Sequence, residues 1–277
     1  EKFPKISSNC LSLINKMSDN RKKIKSNLQH SSTTKNLVVS VEQLLNNCKK
    51  FGAIPFSTMA RIAFIGSIML KSLQKQGYLE NSFVENFMNS ISSPLSEIQD
   101  DMNAVINKKL SKRRFLKKYG HLRPGTYDIT VPRYENNQTI FHKINFQHET
   151  KKKKFEFDES KIKRVLKQHK LKFEKINFIE FVQQTLIQRE KLKFEFTKNL
   201  SQAIELIAMG SKKLDFSREE ISNLSLSDIF KFNKYPKKKF RKYLQKKIFC
   251  NYKIKKLSSY LSLPSIIFYL AILTQTA

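Results

Sequence analysis

Glycine is scarce in this sequence, with six residues in a chain of 277, about a third of the usual ~7 %. Tight turns, for which glycine is the most permissive residue, are therefore few. A β-sandwich or β-barrel needs many such turns, so the shortage favours long helices. Glycine loops that cradle phosphates are missing as well, because neither GxxxxGK[ST] nor GxGxxG occurs.

Cysteine is also rare, and the common metal-binding motifs are absent. Cys10, Cys48 and Cys250 lie far apart and form neither a CxxC motif nor a Cys/His cluster. We therefore predict buried free thiols in a reducing compartment, and no structural zinc or other metal site. The HExxH motif of zinc proteases and the GxSxG motif of serine hydrolases do not occur either.

Long uninterrupted apolar runs and a signal peptide are not visible. The longest uncharged apolar runs are residues 62–70, which are nine residues, and the segment from residue 257 onward, which Ser, Pro and Gln interrupt. A membrane-spanning helix needs ~20 apolar residues. We therefore predict a cytoplasmic protein with no membrane partner. Because the chain opens with Glu and not Met, we expect its true start to be missing.

Acidic residues are outnumbered more than twofold by basic ones. The chain has 53 Lys and Arg against 23 Asp and Glu, which gives a net charge of +30. Such an excess suggests a polyanionic partner such as nucleic acid, and it would also attract small phosphorylated substrates. However, Lys, Ile, Asn and Phe all have A/T-rich codons, and the lysines are spread along the chain. Genome composition with solvated helix faces is therefore the stronger explanation.

Apolar residues recur at helical spacing along most of the chain, which predicts an all-α fold with long central helices. The helix over residues 56–76 is apolar nearly all round and is expected to be central and buried. Gly52 and Pro55 predict a break before it. Residues 139–147 alternate and predict at most a short β segment. The other predicted helices cover residues 8–29, 36–50, 81–89, 95–106, 111–118, 160–171 and 177–213, with further starts at Ser217 and Ser227. Residues 235–256 are strongly basic.

The domain organisation follows from the same pattern. We expect residues 1–277 to form a single helical domain that is a fragment of a larger protein. N-terminal helices occupy residues 1–118, a loop and extended segment occupy 119–150, and C-terminal helices occupy 151–277.

The loop is the most distinctive part of the sequence. Two glycines and two prolines between residues 119 and 134 predict an irregular, stiffened segment. His121, Arg123, Asp128 and Arg133 project from it. His can hold or pass a proton near neutral pH, and Arg can clamp a carboxylate or phosphate at two points. The loop is therefore a candidate functional site. The alternative is a stiff corner at which an Arg–Asp pair only joins helices.

Three other cations are candidate ligands for a phosphate or another anion. Arg189 and Lys193 lie four residues apart on one face of the predicted 177–213 helix, although this spacing also arises by chance in so basic a chain. Arg61 lies in the most apolar helix, so it needs an anion or a ligand. Alternatively, Arg61 reaches solvent or a carboxylate from a helix end.

A resemblance to a known family rests on four segments: FGAIPFSTMARIAFIGSIMLKSL (51–73), FLKKYGHLRPGTYDITVPRY (115–134), QREKLKFEFTKNLS (188–201) and FSREEISNLSLSDI (216–229). In this order they resemble the central region of proteins related to phosphoenolpyruvate synthase, a group that includes pyruvate phosphate dikinases and rifampicin phosphotransferases. The resemblance is greatest to the synthase-like proteins of bacterial surface-polysaccharide gene clusters, and it covers roughly residues 3–266. LSLPSII (261–267) resembles the family's exit from this region, whereas FYLAILTQTA (268–277) departs from it.

The resemblance implies the acceptor-binding helical part of an ATP-dependent, phosphohistidine-type phosphotransferase. Full-length members also have an ATP-grasp domain, which uses ATP and Mg, and a swivelling domain with the phosphorylated histidine. These domains would act in cis or in trans, so we expect the chain alone to bind no cofactor and to be inactive. The acceptor is a small or phosphorylated molecule, with pyruvate as the family's common case.

Individual residues match the family's motifs. Arg189 and Lys193 match its Arg-x-x-x-Lys, which would neutralise the transferred phosphoryl group. His121, Arg123 and Asp128 match its Gly-His-x-Arg…Asp loop, in which Arg123 would clamp the substrate and His121 would orient it or share its proton. Both groups are expected to line one pocket. The alternatives are a basic helical nucleic-acid-binding protein and an inactive remnant of the family.

Overall fold

The computed structural model describes residues 2–92, 94–125, 127–137, 159–171, 173 and 176–260. All regular secondary structure in these ranges is helical, which confirms the predicted all-α fold. The segment 139–147, for which a β segment is predicted, lies outside the described residues. The helices are α1 (Phe3–His30), α2 (Thr34–Cys48), α3 (Ile54–Lys75), α4 (Phe83–Ser90), α5 (Pro94–Ile106), α6 (Lys112–Tyr119), α7 (Glu159–Gln168), α8 (Phe178–Lys212), α9 (Arg218–Ile221), α10 (Leu226–Phe230) and α11 (Lys237–Tyr260).

Helix α8 is the central element of the fold. It has 35 residues, which corresponds to a length of ~52 Å, and helices α1, α2 and α3 pack along it. The side chain of Asn177 caps its start by accepting a hydrogen bond from the backbone N–H of Glu180 at 2.7 Å. Val182, Leu192 and Ala203 are almost fully buried and belong to three different core clusters. One helix therefore connects most of the hydrophobic core.

Helix α3 is not the central buried helix that its composition predicts. Its inner side is buried, with Met59 and Leu70 fully enclosed, but Phe64, Ile65 and Ile68 on its other side are 58 %, 56 % and 65 % exposed. The prediction is wrong because composition counts apolar residues and not the neighbours available to cover them. Only one side of α3 faces α8, and the opposite side remains open.

The predicted break at Gly52 and Pro55 is also wrong. A single π-helical turn, Lys49–Ala53, joins α2 to α3, so the chain stays helical from Thr34 to Lys75. Pro55 lies in the first turn of α3, where a proline's missing N–H needs no partner. The turn lets the backbone of Gly52 approach α8, and this close approach explains why glycine occupies the position.

The run from Thr34 to Lys75 is long and apolar enough to cross a membrane by length and composition, with a mean hydropathy of 1.5 over its most apolar 18 residues. A search for uninterrupted apolar runs misses it because the run includes charged residues. The core helix of a soluble protein passes the same test. Leu44 and Met59 of this run are fully buried within the protein, so part of its apolar surface is accounted for by the core.

A substitution at Gly52 tests this close packing. A Cβ atom at that position would lie 2.8 Å from Cβ of Phe196 and 3.0 Å from Sδ of Met17. Because overpacking forces neighbours to shift, Gly52→Ala is expected to lower the free energy of unfolding by about 1–3 kcal/mol. Gly210→Ala is the matched control, since the nearest atom to its Cβ, on Leu37, is 3.8 Å away.

Urea denaturation followed by circular dichroism measures both variants. Alanine is favoured over glycine in a helix by up to ~1 kcal/mol, so Gly210→Ala is expected to be neutral or stabilising. Equal destabilisation by the two substitutions would contradict the special role of the Gly52 contact.

The cysteines follow the prediction only in part. Cys10 and Cys48 are buried free thiols, and burial raises the pKa of Cys48 to about 12. Cys250 is exposed. The prediction is wrong for Cys250 because it lies on the outward side of α11, next to the exposed Phe249, and not on the side that packs against the core.

Candidate functional site

The loop between α6 and residue 137 is closed at its base by backbone hydrogen bonds. The N–H of Tyr134 donates to the carbonyl of Leu122 at 2.8 Å, and the N–H of Glu135 donates to the carbonyl of Gly120 at 3.1 Å. Gly125 has a φ of +71°, which glycine adopts without strain. The segment is therefore an irregular loop, as predicted, and its two ends lie side by side.

Arg123 is the buried anchor of this loop. Its side chain has no exposed surface. Nη1 donates to the carbonyls of Asp128 and Val131 at 3.0 and 3.2 Å, and Nη2 donates to Oγ and the carbonyl of Ser201 at 3.3 and 3.4 Å. The guanidinium group therefore connects the backbone of the loop to α8. These internal contacts occupy the atoms that a substrate clamp would need.

Glu205 on α8 is the carboxylate on which the arginines converge. Its Oε1 accepts hydrogen bonds from Arg218 at 2.5 Å and from Asn136 at 3.2 Å. Its Oε2 lies 3.5 Å from Nη2 of Arg123 and 3.7 Å from Nε of Arg133. Three guanidinium groups thus share one carboxylate whose side chain is only 8 % exposed. We call these four charged residues the Glu205 cluster.

Arg133 also faces inward from the loop. Its Nη2 pairs with Glu135 at 2.5 Å, and its Nη1 donates to the side chain of Gln202 at 3.2 Å. Arg218 reaches the loop from α9, where its Nη1 donates to the carbonyl of Ile129 at 2.9 Å. The cluster therefore holds together the loop, α8 and the start of α9.

Sequence reasoning placed the loop residues but missed their partners. The alternative interpretation pairs a loop arginine with Asp128, yet Asp128 is exposed, and its carboxylate accepts from N and Oγ of Thr130 at 2.8 and 2.7 Å in a local turn. Glu205 and Arg218 were not singled out. The available signal was an acid within the otherwise apolar stretch AIELIA (203–208), because a charge on a buried helix face needs a partner.

His121 packs against α8 nearer to its middle. Its ring meets the ring of Phe194 edge-on, with centroids 4.9 Å apart. Its backbone carbonyl accepts a hydrogen bond from Oγ of Ser201. Its Nε2 is buried and has no hydrogen-bond partner among the described residues. These contacts thus fix the position of His121 and leave its Nε2 able to accept a hydrogen bond.

The surroundings of His121 keep its imidazole neutral. Burial lowers its pKa to about 3, and the nearby cations Lys198, Arg21 and Arg133 act in the same direction. A hydrogen bond to the backbone of Lys118 acts in the opposite direction without overcoming burial. At neutral pH the unpartnered Nε2 of His121 can therefore accept a hydrogen bond, but the ring does not carry charge.

The remaining candidate cations lie at the surface. Arg189 pairs with the adjacent Glu190, with Nε and Nη2 lying 2.9 and 2.8 Å from Oε1. Lys193 is exposed. Arg61 is exposed on α3, so it reaches solvent as the alternative interpretation holds.

The structure does not bring all the predicted site residues into one pocket. His121 meets α8 at Phe194, next to Lys193, whereas Arg123 meets α8 at Ser201 and Glu205. These last positions are ~12 and ~18 Å beyond Lys193 along the helix axis. The prediction that Arg123 and the Arg189–Lys193 pair line one pocket is therefore wrong. His121 also contacts α8 at Ser201, and the cations near its ring are Lys198, Arg21 and Arg133.

In the part of the chain that the structure describes, no group of three or more His, Cys, Asp or Glu side chains is arranged to hold a metal ion. Comparison of the chain with protein-family profiles, with curated proteins and with solved structures found no match in any of the three.

Proposed function

We propose that this chain is the acceptor-binding helical part of an ATP-dependent, phosphohistidine-type phosphotransferase related to phosphoenolpyruvate synthase. The proposal rests on one observation: α8 contains the Arg189–Lys193 motif and also holds the loop with the Gly-His-x-Arg motif in place. It contains Arg189 and Lys193, and it holds the loop through the contacts of His121 with Phe194 and of Arg123 with Ser201. Helix α8 thus connects the two segments that carry the matched motifs.

In this proposal, some residues bind the phosphoryl group and others position the loop. Phosphoryl transfer depends on placing the reacting groups and on stabilising their negative charge. Lys193 is accessible to an anion, and Arg189 can exchange its contact with Glu190 for a phosphoryl oxygen. Arg123 and Arg133 act as positioning residues because their contacts are internal. His121 fixes the loop beside Phe194.

The rest of the reaction belongs to other parts of the machinery. ATP and Mg would bind to an ATP-grasp domain, and the phosphorylated histidine would reside on a swivelling domain, in cis or in trans. The proposed setting is the cytoplasm, where ATP and phosphorylated metabolites are available.

Removing both surface cations tests the proposal. In a protein that includes the ATP-grasp and phosphohistidine domains, Arg189→Ala/Lys193→Ala is expected to slow phosphoryl transfer to the acceptor at least about tenfold. Phosphorylation of the histidine by ATP is expected to be unchanged, because that half-reaction does not use this region. Single-turnover decay of the radiolabelled phosphohistidine after addition of pyruvate, the first acceptor to test, measures the effect.

Arg113 and Lys117 on α6 provide the matched control, since they are exposed and have the same residue types and spacing. Arg113→Ala/Lys117→Ala is expected to leave both half-reactions unchanged. An unaltered transfer rate in the Arg189/Lys193 variant would remove these two residues from the proposal. An equal loss in both variants would indicate an effect of total charge and not of a site.

A further inference from the structure

Helix α11 concentrates positive charge more than the rest of the chain does. It carries ten Lys and Arg and no acidic residue, which is about twice the density of cations in the whole sequence. A drift in genome composition accounts for lysines that are spread evenly. It does not account for a 24-residue helix whose own sequence contains no acidic residue.

One side of α11 is already used by the hydrophobic core. Phe240 and Leu244 are almost fully buried, and Ile248 packs against the same cluster as Leu214 and Ile221. Asn251 continues this side by donating a hydrogen bond to the carbonyl of Asn223 at 2.7 Å. The inner side of the helix is therefore accounted for as far as Asn251.

The opposite side presents aromatic rings among lysines. Phe249 and Tyr252 are 59 % and 58 % exposed. Nζ of Lys253 lies 4.4 Å from the centroid of the Phe249 ring. Lys242 and Lys246 are exposed and precede these rings on the same face, at the spacing of three and four residues that makes helical neighbours. We call these five residues the basic–aromatic surface.

We propose that the basic–aromatic surface binds single-stranded nucleic acid. Lysines neutralise backbone phosphates and release their counterions, which gives affinity without sequence preference. Exposed aromatic rings stack on unpaired bases, which a single strand offers and a duplex keeps inside its own stack. Among the described residues, the exposed rings of Phe249 and Tyr252 share one helix face with exposed lysines, and this combination matches both requirements.

A membrane surface fits this face less well. An interfacial helix turns a continuous apolar side outward to enter the lipid boundary. In α11 the continuous apolar side is buried in the core, and the exposed apolar residues Phe249, Tyr252 and Ile254 are interspersed with lysines. An acidic peptide would use the lysines but would leave the two exposed rings without a partner.

Fluorescence anisotropy with the full chain tests the proposal. The probe is a labelled oligothymidylate of about 20 nucleotides, longer than the ~4–16 nucleotides of one binding site. Binding is expected at about 50 mM salt and a marked loss at about 300 mM. Phe249→Ala/Tyr252→Ala is expected to weaken binding about tenfold or more through lost stacking. An abasic strand of equal length, which has phosphates but no bases, is expected to bind at least about fivefold more weakly than the oligothymidylate.

A charge-matched comparison separates a site from general attraction. The triple variant Lys242→Gln/Lys246→Gln/Lys253→Gln tests the lysines of the surface. The slope of log K against the logarithm of the salt concentration is expected to become shallower by roughly two. Lys5→Gln/Lys23→Gln/Lys25→Gln removes the same charge from exposed positions of α1 and is expected to leave the slope nearly unchanged. Equal effects of the two triple variants would overturn the proposal.

Three other results would also overturn it: no binding at low salt, unchanged binding by the Phe249/Tyr252 variant, or binding to phosphatidylserine vesicles but not to the oligonucleotide.

Cys250 gives a second readout in the unmutated chain, because it is exposed beside Phe249 while Cys10 and Cys48 are buried. The oligonucleotide is expected to slow its reaction with a maleimide. The proposal is independent of the phosphotransferase role, whose test uses residues on another helix.

Discussion

Replacing Glu205 with glutamine is expected to lower the free energy of unfolding by about 3–5 kcal/mol, the range found when one partner of a buried ion pair is removed. Glutamine keeps an oxygen that can accept from Arg218 and Asn136, so the substitution removes charge with little change in shape. The guanidinium groups of Arg123 and Arg133 would then face each other without a carboxylate between them. Since the Arg123 side chain is fully enclosed, solvent cannot compensate.

The matched control breaks an ion pair that solvent does reach. Asp19 and Lys22 pair at 2.9 Å on α1, and their side chains are 63 % and 74 % exposed. Asp19→Asn is expected to cost at most about 0.5 kcal/mol. Urea denaturation of both variants measures the difference. A loss below about 1 kcal/mol for Glu205→Gln would show that water enters the cluster and screens it.

The Glu205 cluster also explains which part of the site the sequence could not predict. Local pattern identified the loop and its arginines because glycine, proline and arginine are rare and clustered there. Glu205, the partner of Arg123, lies on α8 far from the loop in sequence, and no local spacing connects the two. A sequence pattern predicts that a buried charge needs a partner, but it does not say which acid the fold brings to it.

The same limit applies to the fold. Helical periodicity predicted most of the helices, including the long α8, because apolar residues repeat on a face that the core covers. Periodicity did not predict which helix is central. Helix α3 is more apolar than α8, yet α8 is the central helix and α3 exposes Phe64 and Ile68. Likewise, Gly52 and Pro55 usually mark the end of a helix, but here Gly52 lies in a π-helical turn and Pro55 in the first turn of α3, so the chain stays helical.

The pH dependence of stability provides the second large effect, and it depends on His121. Burial lowers the pKa of His121 to about 3 in the folded protein, while an unfolded chain has a histidine pKa of ~6.5. Between these values the unfolded state binds more protons, so the stability of the fold decreases as the pH falls below about 6.5. From pH 7 to pH 5 the loss attributable to this one group is expected to be roughly 2 kcal/mol.

His121→Asn removes the titrating ring and is expected to flatten the stability profile in this window. Asp101 and Asp228 have lowered pKa values, mainly because hydrogen bonds from Lys118 or Tyr243 outweigh burial, so their loss of stability lies below about pH 4 and does not overlap. His30→Asn is the matched control at an exposed position, and it is expected to keep the wild-type profile. Urea denaturation at pH 7, 6 and 5 makes the comparison. Parallel profiles for the wild type and His121→Asn would mean that the imidazole protonates freely in the fold, and that water reaches the unpartnered Nε2 beside Phe194.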